Sequence, residues 1–153
     1  MRIALYQPDI AGNLGTTMRT AACLGVGLDV IEPCGFPFSP ERSDRGVRRA
    51  AMDYGAPADV RRHADWGRFR AGAQGRIVLF TTRADIPLPQ ARFLPDDVLL
   101  FGSEGAGAPD EVHAAAALAV RIPLVANARS LNVAVAAGIA LGEALRQTGL
   151  YPA

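Results

Sequence analysis

Short apolar runs, separated by polar and glycine-containing stretches, recur along this chain. "RIALY" (2–6), "LDVI" (28–31), "RIVLFTT" (76–82), "DVLLF" (97–101) and "LAVRIP" (118–123) have the length and composition of buried strands, and "ADVRRH" (58–63) is a weaker one. Helical patterns lie between them. "NLGTTMRTAACLG" (13–25) opens on Asn13 as an N-cap and stops at a glycine, and "PDEVHAAAA" (109–117) begins with proline at a helix start. "SLNVAVAAGIALGEALRQTG" (130–149) opens on Ser130 as its cap and ends on Gly149. Strands alternating with helices predict a single α/β domain over residues 1–153, with a mostly parallel sheet flanked by helices.

The last helix is apolar on every face: from Leu131 to Leu145 the polar side chains are Asn132 and Glu143. Such a helix must be covered all round, and a sheet covers one side. A second subunit is the expected cover for the other, which predicts a homodimer. Residues 32–57 form a long connection with three prolines, Pro33, Pro37 and Pro40, before a short helical stretch, and connections of that length inside compact domains are usually functional.

Composition narrows the class. Half of the 153 residues are hydrophobic and a fifth are charged, as in ordinary globular proteins. No apolar run has the length of a membrane span, and "MRIALYQPD" lacks the apolar region of a signal peptide, so a cytoplasmic protein without a membrane partner is expected. Cys23 and Cys34 have neither disulfide density nor metal-ligand spacing and are expected to be reduced, partly buried thiols.

Net charge is +1, but its distribution is uneven. All 16 basic residues are arginine, and nine of them lie between Arg42 and Arg76 against four aspartates. The cluster is either a solvated face or a patch that contacts phosphates, for which the planar guanidinium is well suited.

Candidate chemistry centres on "LLFGSEGAGAP" (99–109), a strand end followed by glycines 102, 105 and 107. The spacing is not the dinucleotide fingerprint, no Lys-Ser/Thr pair makes it a phosphate loop, and Phe101 replaces the glycine that a nucleophile elbow needs. With Glu104 in its middle, the turn suits a ligand approached by backbone, carrying a neutral or positive group beside the carboxylate. His63 and His113 have no evident triad partner, and no His, Cys or carboxylate cluster has metal spacing. Two further polar groups stand out: Asn13, Gly15 and Arg19, and "RIPLVANARSLN" (121–132), which delivers Ser130 and Asn132 to a helix start.

Taken together, N-x-G-x-x-x-R (Asn13, Gly15, Arg19), F-G-S-E-G (Phe101 to Gly105) and I-P-L followed by S-L-N-V (Ile122 to Leu124, Ser130 to Val133) resemble the three ordered motifs of the SPOUT methyltransferases. The likeness is to the 2'-O-ribose branch, and within it to the minimal tRNA (cytidine/uridine-34-2'-O)-methyltransferases, whose signature "IEPCGF" and "RRAAMDY" also resemble. Ala11, where that group usually has proline, and Gly55, where it has an aromatic residue or histidine, depart from the pattern.

The resemblance implies a C-terminal trefoil knot and a cavity for S-adenosyl-L-methionine, the glycines allowing close backbone contact with it. It assigns cofactor contacts to Phe80, Thr81, Gly102, Glu104, Gly105, Ile122, Leu124, Ser130, Leu131 and Asn132, and catalysis to Arg19 with Asn13, Ser130 and Asn132. Arg45, Arg48, Arg49 and Tyr54 would grip a tRNA anticodon loop, and no metal would be needed. The alternatives are a ribosomal RNA methyltransferase and a non-catalytic RNA-binding module of the same fold.

Overall fold

The computed structural model describes residues 1–39 and 59–153. Seven strands form a single sheet: β1 (Arg2–Tyr6), β2 (Gly27–Ile31), β3 (Val60–His63), β4 (Ile77–Phe80), β5 (Ile86–Pro87), β6 (Val98–Phe101) and β7 (Leu118–Arg121). Their order is β3-β2-β1-β6-β4-β7-β5, and each neighbouring pair is parallel. The helices are α1 (Ala11–Cys23), α2 (Trp66–Gly72), α3 (Asp110–Ala115) and α4 (Val133–Thr148), with a 3-10 turn at Leu88–Gln90.

Strand side chains alternate between two cores. Ile3, Leu5, Val78, Phe80, Leu99 and Phe101 face one way and meet Leu14 and Ala21 of α1 and Ala137, Leu141 and Leu145 of α4. Ala4, Tyr6, Ile77, Leu79, Val98 and Leu100 face the other way, against Trp66 and Phe69 of α2 and Val112 of α3. Both faces are covered, so the central strands are apolar at consecutive positions rather than alternating. The predicted α/β class is the observed one.

The helices differ from expectation at three places. Helix α1 begins at Ala11 and its N-cap is Ile10, with no side-chain cap. Asn13 therefore lies inside the helix, 8% exposed, instead of capping it. Helix α4 is capped by Asn132, not Ser130: the Asn132 carboxamide oxygen accepts from the Ala134 and Val135 nitrogens at 2.9 and 3.3 Å. Its C-terminal stop holds, because Gly149 takes the left-handed φ of +68° that ends a helix. Helix α2 has no counterpart in the sequence reading. Two glycines and two arginines obscure its pattern, yet Asp65 caps it by accepting from the Arg68 nitrogen at 2.8 Å, and Trp66 and Phe69 sit three apart on its buried face.

The apolar helix α4 is only partly covered. Ala137, Ala140, Leu141, Ala144 and Leu145 are fully buried, while Val135 and Ile139 are 51% and 42% exposed. Among the described residues no helix is long and apolar enough to cross a membrane.

Candidate functional site

The strand order reverses direction around β1 and β6, because β6 enters the sheet between β1 and β4. Ligands in parallel α/β sheets bind beyond the carboxyl ends of strands at such a point. A cavity of about 440 Å³ lies there. Its floor is aromatic: the Phe80 and Phe101 rings stack at 4.9 Å, and Phe93 lies parallel to Phe80 at 6.2 Å. Its walls are the loops that leave β4 (Thr81, Thr82), β6 (Gly102 to Glu104, Gly107, Ala108) and β7 (Ile122, Leu124). The segment from Ser130 to Val133, with Ala136, closes one side, and Ile10 and Asn13 close another.

Nine of the ten residues expected to contact a cofactor line this cavity; Gly105 does not. Its nitrogen donates to Asp9 Oδ2 at 2.9 Å, on the outer side of the turn. Gly102 lines the cavity, but the need for glycine there arises within the turn. A Cβ at 102 would stand 2.5 Å from the Ala108 nitrogen and closer still to the Gly107 carbonyl carbon. The turn brings those atoms in by pairing Ser103 with Gly107 in both directions, at 3.0 and 2.9 Å. Gly107 itself has φ of +70°. The loop's own packing thus demands glycine at 102, and its backbone favours glycine at 107.

Three polar side chains of the cavity are bonded in series. Asn132 Nδ2 donates to Asn13 Oδ1 at 2.8 Å, and Asn13 Nδ2 donates to Glu104 Oε1 at 2.9 Å. The other carboxylate oxygen, Oε2, accepts from the Asp9 nitrogen at 2.7 Å. The three sequence motifs therefore meet in one hydrogen-bonded line. Glu104 does not face the cavity as a free charge.

Arg19 lies two turns along α1, partly exposed, and is not among the residues lining the cavity. Arg45, Arg48, Arg49 and Tyr54 fall outside the described residues. His113 is a structural residue of the rim: with Nδ1–H donating to the Pro109 carbonyl at 3.1 Å, Nε2 accepts from the Thr81 hydroxyl at 3.2 Å. His63 bonds Asp29 at 2.7 Å, away from the cavity. Among the described residues no group of three or more His, Cys, Asp or Glu is placed to hold a metal ion.

The loops expected around the cofactor, 80–82, 102–105, 122–124 and 130–133, include Thr82, Ser103 and Val133; Ile10, Phe101, Gly107, Ala108 and Ala136 line the cavity without having been expected there. Phe101, Gly107 and Ala108 adjoin the turn at 102–105, so extending that loop would have found them. Ile10 carried no signal.

Comparison with known proteins shows the family. A tRNA (cytidine(34)-2'-O)-methyltransferase of Beijerinckia indica is 52% identical over 96% of this chain and 91% of its own. The enzyme of that name from Escherichia coli K12 is 36% identical over 99% and 96%. A solved structure concerned with 2-OH methylation of C/U34 on tRNA superposes with a TM-score of 0.88 at 40% identity, covering 95% of this chain and 94% of that one. The SpoU methyltransferase AviRb of Streptomyces viridochromogenes, in complex with AdoMet, matches with a TM-score of 0.80 at 27% identity, covering 96% of this chain and 57% of that one. The profile of the SpoU rRNA Methylase family matches residues 1–142, and this chain belongs to that family.

Proposed function

We propose that the protein transfers a methyl group from S-adenosyl-L-methionine to the ribose 2'-oxygen of tRNA nucleotide 34, a cytidine or uridine. The observation that carries this is the cavity at the strand ends, where all three motifs converge. Its volume of about 440 Å³ lies within the range for small-ligand sites. Ile122, Leu124 and Leu131 give apolar walls for a flat ring, and the loop backbones offer groups for its nitrogens. These residues fit the cofactor. The names of the relatives support the choice of tRNA over ribosomal RNA, and the AdoMet held by AviRb supports the cofactor.

When bound, the cofactor supplies an electrophilic methyl group on a sulfonium. The loops after β4, β6 and β7 and the start of α4 hold and orient it, because catalysis of an in-line transfer is mainly positioning. Ser130 lies at the cavity wall, and in this reading its hydroxyl serves the reacting groups. Arg19 serves the nucleophile in one of two roles: it takes the hydroxyl proton as a deprotonated base, or it polarises the hydroxyl and holds the adjoining phosphate. A guanidinium, with five N–H donors and no acceptor, fits the second role more readily. No metal enters either role. Arg45, Arg48, Arg49 and Tyr54 grip the anticodon loop, whose single strand presents its 2'-hydroxyl without opening a duplex.

The reading includes a homodimer, supported by the exposed Val135 and Ile139 on α4 and by exposed Ile10 and Leu131 beside the cavity. It includes a cytoplasmic location, where tRNA is available. It also gives the C-terminal half a trefoil knot, supported by the return of α4 from the end of β7 to pack on α1 and β6.

The test uses methyl-labelled cofactor and unmodified tRNA, with and without 2'-deoxyribose at position 34. Wild-type protein is expected to label the normal tRNA at that nucleotide, while the deoxy form binds competitively and accepts nothing. Arg19→Ala should lose transfer and keep cofactor affinity; Arg19→Lys should retain part of the rate if the side chain is a clamp. Labelling of the deoxy tRNA, or of ribosomal RNA fragments alone, overturns the assignment.

A further inference from the structure

The Asn132–Asn13–Glu104 line has a direction, and it continues to a residue with no assigned role. Each member passes its N–H toward the next: the first nitrogens of α4 donate to Asn132, Asn132 to Asn13, and Asn13 to Glu104. From the other side, the Asp9 nitrogen donates to the second oxygen of Glu104, and the Asp9 carboxylate accepts from Gly105, the residue after Glu104. The Glu104 carboxylate is the one place in the line that accepts from both sides. A carboxamide of the same shape would turn its own N–H₂ against Asn13 Nδ2 or the Asp9 nitrogen. The line joins four separate pieces of chain: the β1–α1 loop, α1, the β6 turn and the start of α4. Partners lie 91, 95 and 119 residues apart, so nothing local holds them in register.

We propose that Glu104, with Asp9 as its latch, is a positioning residue. By accepting from the β1–α1 loop and from α1 on one carboxylate of the β6 turn, it sets α1, the helix that carries Arg19, at a fixed distance from the loops lining the cavity. Its negative charge acts on those donors and is not a partner of the ligand. This rests on the proposed methyltransferase reading for its consequence in rate, and on geometry alone for the connection itself.

Reversing the polarity of one link tests it. Glu104→Gln sets donor against donor, and Asn13→Asp sets carboxylate against carboxylate. When the two substitutions are combined, the new carboxamide at position 104 donates to the new carboxylate at position 13. The carboxamide oxygen still accepts from the Asp9 nitrogen, and the carboxylate at position 13 still accepts from Asn132. The charge moves one link and every bond is restored.

Three readouts are taken on the full chain: kcat and KM for tRNA, affinity for S-adenosylhomocysteine by calorimetry, and amide exchange at Asp9, Gly105 and the first turn of α1. Each single variant should lower kcat about tenfold or more, the size expected for one hydrogen bond to a charged group, with cofactor affinity changed by less than about threefold. Exchange at the three places should rise. The double variant should recover most of the rate and the wild-type exchange pattern, and Asp9→Ala should reproduce a weaker form of Glu104→Gln. If the double variant is no better than the worse single one, or if Glu104→Gln loses cofactor affinity in step with kcat, the proposal is overturned. Absence of methyl transfer by the wild type would overturn the functional reading instead, and the exchange data would still decide the relay.

Discussion

Gly102 shows how a residue whose type is plain in the sequence acquires its reason from the fold. Its missing side chain is what lets the strand end lie against the backbone of residues 107 and 108. Gly102→Ala should therefore destabilise the protein by about 1–3 kcal/mol, the cost of forcing atoms into a packed site, and should weaken cofactor binding only as a consequence of loop movement. Urea unfolding followed by calorimetry checks both parts, and an unchanged midpoint would contradict the steric account. The two thiols separate in the same way. Cys34 is partly covered, and burial together with the charge of Glu32 pushes its pKa up to about 11, whereas Cys23 at the end of α1 is exposed rather than partly buried as expected. A thiol with a raised pKa holds little thiolate near pH 8, and thiolate is the reactive form. Iodoacetamide at that pH should label Cys23 well before Cys34, as peptide mapping would show.

Helix α4 carries the element-scale lesson. Its sequence is apolar all round, and the fold divides that surface into a buried face of small residues and an outer stripe. Alanines at 134, 137, 140 and 144 let the helix approach the sheet and α1 closely; none has a side chain long enough to hold it away. Ala137 is fully buried and Ile139 is 42% exposed, so the same charge has different effects at the two positions. Ala137→Glu should unfold the protein, because an unpaired carboxylate cannot be buried without a partner. Ile139→Glu should leave circular dichroism and the melting midpoint near wild type, and shift sedimentation of the proposed homodimer to monomer. A folded Ile139→Glu dimer would remove this stripe from the interface.

Across the whole molecule, the two strands beneath the cavity are tied at their other ends by a buried charge. Asp97, with no exposed surface, accepts from Arg76 Nε and Nη2 at 2.9 and 2.8 Å and from the Leu94 nitrogen at 2.8 Å. Arg76 precedes β4 and Asp97 precedes β6, so the pair sets the relative height of the strands whose far ends carry Thr81 and Gly102. The pairing also raises the Arg76 pKa above its ordinary value, chiefly through the hydrogen bonds to Asp97. Arg76→Met would strand the carboxylate and should cost about 3 kcal/mol, near the low end for a broken buried pair because the guanidinium is partly wet. Asp97→Asn with Arg76→Met should recover much of that loss in urea unfolding, since no buried charge remains. No recovery would mean that packing, not charge, holds the strands in step.

What the sequence determined by itself is what local pattern encodes: the apolar runs that became five central strands, the weaker strand at 60–63, the glycine stop of α4 and the α/β class. The three motifs were legible too, as sets of residue types at set spacings. Seven of their residues, Gly102, Glu104, Ile122, Leu124, Ser130, Leu131 and Asn132, line the cavity as the expected cofactor contacts would. Tertiary structure decided the rest, because the deciding partners are far away in the chain. Asn13 has the composition of a cap, but its amide is drawn into the helix interior by Glu104 and Asn132, 91 and 119 residues on. Asn132 takes the cap from Ser130 because its neighbour Asn13 fixes its orientation. Glu104 suggested a charge facing a ligand, and the fold surrounds it with donors instead. Side-chain periodicity reports which face of an element is buried. It carries no information about which polar groups from other elements will be waiting there.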